Sequence, residues 1–138
     1  MAWRAKNTMA HNNCCKDTLD MWPSVFTAMS IISNRETPFH RDSQSRMCWY
    51  DMLTSVGPYN DAPVYLSPFG IRISNTPGTI CAFSGMALRH AVRYTAHPRI
   101  SVAFYLRENV RAGVHVKPAG WMSQSTYQNI TGYSRFRR

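Results

Sequence analysis

The chain has 138 residues, which suits one domain of ordinary size with a modest core. Its 44% apolar content excludes wholesale disorder, no apolar run approaches the roughly 20 residues of a membrane span, and Met1 to Asn13 lacks the apolar core of a secretion signal. Sixteen Lys+Arg against seven Asp+Glu give a net charge of +9, carried mostly by arginine, since Lys6, Lys16 and Lys117 are the only lysines; such a balance suits a polyanionic partner, of which nucleic acid is the commonest.

Residues 1–24 are polar and Asn-rich, and read as a loose arm with a short helix around Asp17–Trp22, ended by Pro23. From Val25 the texture changes to β-formers, with Val25–Ser33 partly alternating. Residues 34–38 read as a turn that leads into Phe39-His40-Arg41-Asp42. Further strand candidates follow at Cys48–Val56, Val64–Leu66, Gly70–Ile73, Thr79–Phe83, Leu88–Val92 and Arg99–Leu106, each bounded by Gly or Pro. Pro77-Gly78 reads as a tight turn with Gly78 at positive φ. Short strands at this spacing indicate an all-β sandwich or barrel spanning 25–117. Beyond Asn109 the pattern decays, and 118–138 reads as a basic tail ending in Arg135-Phe136-Arg137-Arg138. Cys14, Cys15, Cys48 and Cys81 form no C-x-x-C, which makes a poor zinc framework; they read as thiols in a reducing compartment.

The chemistry centres on His40 and Asp42. On a strand the two side chains share a face, and an imidazole beside a carboxylate suits an octahedral Fe(II) if a second histidine arrives from elsewhere. An H-x-D tripeptide is common and decides nothing alone. The candidates for the third ligand are His11, His90, His97 and His115. Of these His90 sits in an apolar segment, where a histidine is more often a hydrogen-bonded core residue than a ligand. Arg99 changes the weighing. A 2-oxoglutarate molecule chelating iron leaves a distal carboxylate that needs a planar two-pronged cation, and Arg99 and Ser101 share one face of a strand. The bland alternative for Arg99 is a strand-edge cation meeting water or Asp51. The order H-x-D, then His about fifty residues on, then Arg-x-Ser about ten further, is more specific than any of its parts.

That order is similar to the iron and 2-oxoglutarate dioxygenases built on a double-stranded β-helix, a jelly-roll or cupin-like fold. Arg99–Asn109, the His40-Arg41-Asp42 wording and the stretch from Tyr50-Asp51-Met52-Leu53 through Phe83-Ser84-Gly85 to Leu88-Arg89-His90 resemble the TET/J-binding-protein dioxygenases, in particular their fungal branch. The resemblance implies Fe(II), 2-oxoglutarate and O2 as cofactor and cosubstrates, with His40, Asp42 and His90 holding iron and Arg99 and Ser101 holding the distal carboxylate. It places Tyr105 where an aromatic stacks on a flipped base, Arg107 in place of a base-contacting histidine, and Gln44 or Ser45 near a base-contacting asparagine. It implies oxidation of the 5-methyl group of 5-methylcytosine or thymine in DNA, by a monomer, in the nucleus. Arg35, Arg41, Arg46, Arg89, Arg93 and Arg111 are candidates for a phosphate-gripping stripe. The competing expectations are a 2-oxoglutarate oxygenase with a protein or small-molecule substrate, and an inactive basic DNA-binding relic.

Overall fold

The computed structural model describes residues 20–22, 24–93 and 95–117, with isolated positions 7, 8, 17, 125, 126 and 129. Most of the expected arm and nearly all of the expected tail lie outside the described residues. Within the arm, the Met21 N–H donates to the Asp17 carbonyl at 3.2 Å, the spacing of one helical turn.

The described chain is mainly β. The strands are β1 (Ala28–Ser33), β2 (Thr37–His40), β3 (Asp51–Val56), β4 (Val64–Leu66), β5 (Ile71–Ile73), β6 (Ile80–Phe83), β7 (His90–Val92) and β8 (Ile100–Tyr105). They form two antiparallel four-stranded sheets with orders β1-β8-β3-β6 and β2-β7-β4-β5. First pairs with eighth, second with seventh, third with sixth and fourth with fifth. This nested pairing, wound across two sheets, is the double-stranded β-helix.

Local chemistry sets the strand limits. Gly78 ends the loop before β6 at φ +85, and Gly70 ends a 3-10 turn (Ser67–Phe69) at φ +60. Alternation is clear in β6, where Cys81 and Phe83 are buried while Ile80 and Ala82 are exposed. These two join Tyr59, Ala62, Val64, Leu66 and Val92 in the core between the sheets, with Leu53, Ile73 and Leu88 packed on it.

Two expectations needed correction. Strand β2 stops at His40, so Asp42 lies in the following loop and strand alternation is not what aims it. The decay of pattern after Asn109 conceals a short helix, α1 (Glu108–Gly113). Its six residues are too few to stand on helix propensity. Contacts from another part of the chain hold it. The Glu108 N–H donates to the Gln44 carbonyl at 3.0 Å, and Glu108 accepts from Arg46 at 2.6 and 2.8 Å and from Arg111 at 2.6 to 2.9 Å.

Candidate metal centre

Strands β2 and β7 bring two histidines together. Thr37 pairs with Val92 and His40 with His90, so three steps on β2 face two on β7. This bulge re-aims β2 and sets His40 directly across from His90. The ring centroids lie 4.2 Å apart. Each Nδ1 meets the carbonyl two residues earlier, His40 with Pro38 at 2.8 Å and His90 with Leu88 at 2.9 Å. A carbonyl can only accept, so both rings carry their proton on Nδ1 and leave the Nε2 lone pair for a metal. Burial, ahead of any neighbouring charge, lowers the His90 pKa from its ordinary value, the direction that favours the neutral imidazole a metal needs.

Asp42 completes the set. Its oxygens lie 3.5 Å from His40 Nε2 and 3.9 Å from His90 Nε2, and the three potential ligand atoms fall within 4.8 Å of one another. Two imidazoles and one carboxylate on one side of an ion, with His40 and Asp42 half-buried, fit Fe(II) with open positions. Among the described residues no other group of His, Cys, Asp and Glu comes together this way. His97 and His115 are exposed, and His11 lies outside the described residues.

Asp42 is aimed by a clamp that sequence reading missed. Its N–H donates to the Gly85 carbonyl at 3.0 Å, and the Gly85 N–H donates to Asp51 Oδ2 at 3.0 Å. A Cβ on Gly85 would sit 2.1 Å from Asp42 Oδ2 and 2.6 Å from Asp51 Oδ2, so only glycine lets both carboxylates approach. Burial, then the facing Asp42, raises the Asp51 carboxyl to about 6. The sequence places Asp51 inside a strand candidate and offers it only as a mate for Arg99; its burial at the start of β3 and its bond to Gly85 are not visible there.

A cavity of about 160 Å³ opens beside the triad, lined by His40, Asp42, His90, Ser45, Asp51, Tyr105 and Arg107 among others. The Arg107 guanidinium lies 4.2 Å from the centroid of the Tyr105 ring, and the Tyr105 hydroxyl meets Ser30 Oγ at 2.8 Å. That bond to Ser30, with Arg107 adding to it, lowers the tyrosine's pKa from its ordinary value. Ser45 is buried and its Oγ has no hydrogen-bond partner. Gln44 is exposed, does not line the cavity, and gives its carbonyl to α1.

A second cavity, about 40 Å³, abuts the first through the shared walls Ile32, Thr37, Leu53, Val92 and Ala103. Arg99 and Ser101 line it with Ser55 and Asn75. Arg99 is 3% exposed, so it is no strand-edge cation, and Asp51 is committed to Gly85 instead. Gly57, at φ +144, lets the chain at Pro98 and Arg99 pass close; a Cβ there would lie 2.2 Å from the Pro98 carbonyl oxygen. Asn34, itself at φ +49, accepts the Arg99 N–H at 2.7 Å through Oδ1, and the Arg35 carbonyl accepts Nη2 at 2.7 Å. Nη1 has no partner. A buried guanidinium with an unused donor, lining with Ser101 a cavity that shares walls with the cavity of the triad, fits the far carboxylate of a chelating keto acid.

Of the six arginines considered for phosphate contact, Arg46 and Arg111 are tied to Glu108. Arg35, Arg41, Arg89 and Arg93 are exposed. Arg89 lies over Phe39 at 5.5 Å, and Arg93 lies over Tyr65 at 5.7 Å and 4.0 Å from Glu36. Among the described residues, no helix is long and apolar enough to cross a membrane.

Comparison with known proteins adds three findings. A family model described as the oxygenase domain of the 2OGFeDO superfamily, Tet_JBP, matches residues 2–108. No curated protein matches the chain in sequence. Among solved structures, an RmlC-like cupin protein from Desulfovibrio desulfuricans is 13% identical over 56% of this chain and 71% of its own, with a TM-score of 0.41. Ectoine synthase from P. lautus is 15% identical over 72% of this chain and 75% of its own, with a TM-score of 0.40.

Proposed function

The chain belongs to the Tet/JBP family of 2OGFeDO oxygenase domains, and on that premise we propose that it oxidises the 5-methyl group of a pyrimidine, 5-methylcytosine or thymine, in DNA. It is an Fe(II)- and 2-oxoglutarate-dependent dioxygenase. The bound iron supplies the oxidising chemistry, in which 2-oxoglutarate, O2 and a methyl group give succinate, CO2 and a hydroxymethyl group.

The residues of the chain do the rest. His40, Asp42 and His90 hold the metal, and the carbonyls of Pro38 and Leu88 fix the imidazole tautomers. Arg99 and Ser101 hold the distal carboxylate of 2-oxoglutarate and so set the direction of its keto acid end. The observation that carries the DNA reading is that the Arg107 guanidinium lies 4.2 Å from the centroid of the Tyr105 ring, and both residues line the cavity that the triad also lines. A flat heterocycle stacks on such a surface and offers ring edges to a guanidinium.

A base inside a duplex cannot reach this cavity, so the nucleotide leaves the stack at a cost of a few kcal/mol. The net charge of +9 and the exposed Arg35, Arg41, Arg89 and Arg93 favour a phosphate backbone that offsets it. We read the protein as a monomer acting in the nucleus, where such DNA is found. The complete triad and the unused Arg99 donor weigh against an inactive relic.

The test is incubation of the chain with Fe(II), 2-oxoglutarate, air and duplexes containing 5-methylcytosine or thymine. Mass spectrometry should find 5-hydroxymethyl bases that require 2-oxoglutarate and vanish in His40→Ala. Succinate formed at the same rate with and without DNA, and no altered base, would move the substrate to a protein or small molecule.

A further inference from the structure

We infer that Glu108 is a positioning residue for the metal: paired with Arg46, it ties down the loop that carries Asp42 and so raises the affinity of the triad for iron. The inference rests on the metal centre described above and adds a support that lies outside it.

His40 and His90 stand on paired strands, so the sheet fixes them. Asp42 has no such support. Strand β2 stops at His40 and β3 starts at Asp51, and the loop between them contains no strand. Its residues Ser43, Gln44 and Met47 are exposed. The Gly85 carbonyl holds the Asp42 N–H and fixes one end of this loop. The buried Trp49 fixes the other, its N–H donating to the Arg46 carbonyl at 3.0 Å.

Between these anchors the loop meets α1 twice. The Gln44 carbonyl accepts the Glu108 N–H at 3.0 Å, and Arg46 donates from Nε to Oε2 at 2.6 Å and from Nη2 to Oε1 at 2.8 Å. Ser45, between Gln44 and Arg46, donates its N–H back to the Asp42 carbonyl at 3.1 Å. The hold of Glu108 therefore reaches the backbone of the metal ligand through one turn of chain.

A lone surface ion pair would do little here, but a two-pronged pair inside a larger network is the exception. Arg111 supplies that network from within α1. It donates to both Glu108 oxygens at 2.6 to 2.9 Å and to the Val116 carbonyl. The two arginines thus have different tasks: Arg111 closes the helix on itself, and Arg46 ties the metal loop to it. The helix follows β8, which is paired on both sides, by β1 and by β3, so Glu108 stands on a fixed post. A loop held in advance leaves less motion for the metal to arrest, which strengthens binding. The family match ends at residue 108, so the rest of α1, Arg111 included, lies beyond it.

The test is anaerobic calorimetric titration of the full chain with Fe(II), beside urea melts of the metal-free protein. Arg46→Met unties the loop and leaves Glu108 with Arg111; Arg111→Met loosens α1 and leaves the Arg46 pair. Iron affinity should fall about tenfold in Arg46→Met, the lower end of the loss seen when a metal ligand's support is removed, and stay within about twofold of wild type in Arg111→Met. Arg46→Lys keeps the charge without the fork and should recover part of the loss. Adding Glu108→Gln to Arg46→Met should cost little further affinity, because the two partners act as one unit. If Arg46→Met does not fold, Glu108→Gln alone decides in its place, by the same loss. Wild-type iron affinity in the folded variants, or equal losses in Arg46→Met and Arg111→Met that follow their melts, overturns the inference alone. No iron binding by the wild type overturns the metal centre and this inference together.

Discussion

Gly85→Ala isolates the clamp behind the metal site. The added Cβ would lie 2.1 Å from Asp42 Oδ2, 2.6 Å from Asp51 Oδ2 and 3.0 Å from Asp42 Cγ. Ordinary non-bonded contacts sit near 3.5 Å, so the Asp42 carboxylate must retreat by roughly 1.4 Å. Asp42 is half-exposed and has room to swing outward; Asp51 is buried and has little. The variant should therefore lose about 1–3 kcal/mol of stability, the usual cost of overpacking. Its metal affinity should fall further, by about 10–100-fold, the range found when the support of a metal ligand is disturbed. Gly113→Ala is the control, since nothing lies within 4 Å of a Cβ there. The assays are urea melts of the metal-free protein and anaerobic calorimetric titration with Fe(II). Wild-type iron affinity in a folded Gly85→Ala variant would refute the clamp.

Two further outcomes follow from the same geometry. Gly57→Ala combines φ +144 with a Cβ 2.2 Å from the Pro98 carbonyl oxygen, and should cost about 2–4 kcal/mol in urea melts while raising the KM for 2-oxoglutarate, because Arg99 is the next residue along; a wild-type melting midpoint would contradict this. Hydrogen bonds from Arg46 and then Arg111 hold Glu108 down at about 2, so its ionised form is favoured on folding. The stability it adds is present above the ordinary glutamate range and lost as pH falls from about 4.5 towards 2. The group is largely solvent-screened, so Glu108→Gln should cost on the order of 1 kcal/mol at pH 6, a gap that closes near pH 2; a gap independent of pH would contradict the assignment.

Much of this was legible in the residues because the signals were local. Gly57-Pro58, Pro68, Pro77-Gly78, Ser84-Gly85 and Pro98 punctuate the strands, and β-branched and aromatic residues fill them. The order of His40, Asp42, His90 and Arg99 survives in any reading of the chain. What was not legible depends on residues meeting across the fold. Asp42 leaves the strand because β2 stops at His40 and the Gly85 carbonyl takes its N–H. The helix Glu108–Gly113 exists because Arg46, sixty-two residues earlier, reaches Glu108. That same pairing withdraws Arg46 and Arg111 from the expected phosphate-gripping stripe. The roles of Gly85 and Asn34 come from a close approach and a left-handed turn, neither of which residue identity alone reveals.

The central claim is that two imidazoles and one carboxylate bind a single iron, with Arg99 in the adjoining cavity holding the cosubstrate. The most direct measurement is an anaerobic titration of the protein with Fe(II) and 2-oxoglutarate, followed by the visible metal-to-ligand absorption of a chelated keto acid. The account predicts a band that saturates at one iron per chain, disappears in His90→Ala, and in Arg99→Met needs at least about tenfold more 2-oxoglutarate, as loss of a charged hydrogen bond requires. A band that persists undiminished in His90→Ala, or no band in the wild type, would contradict it.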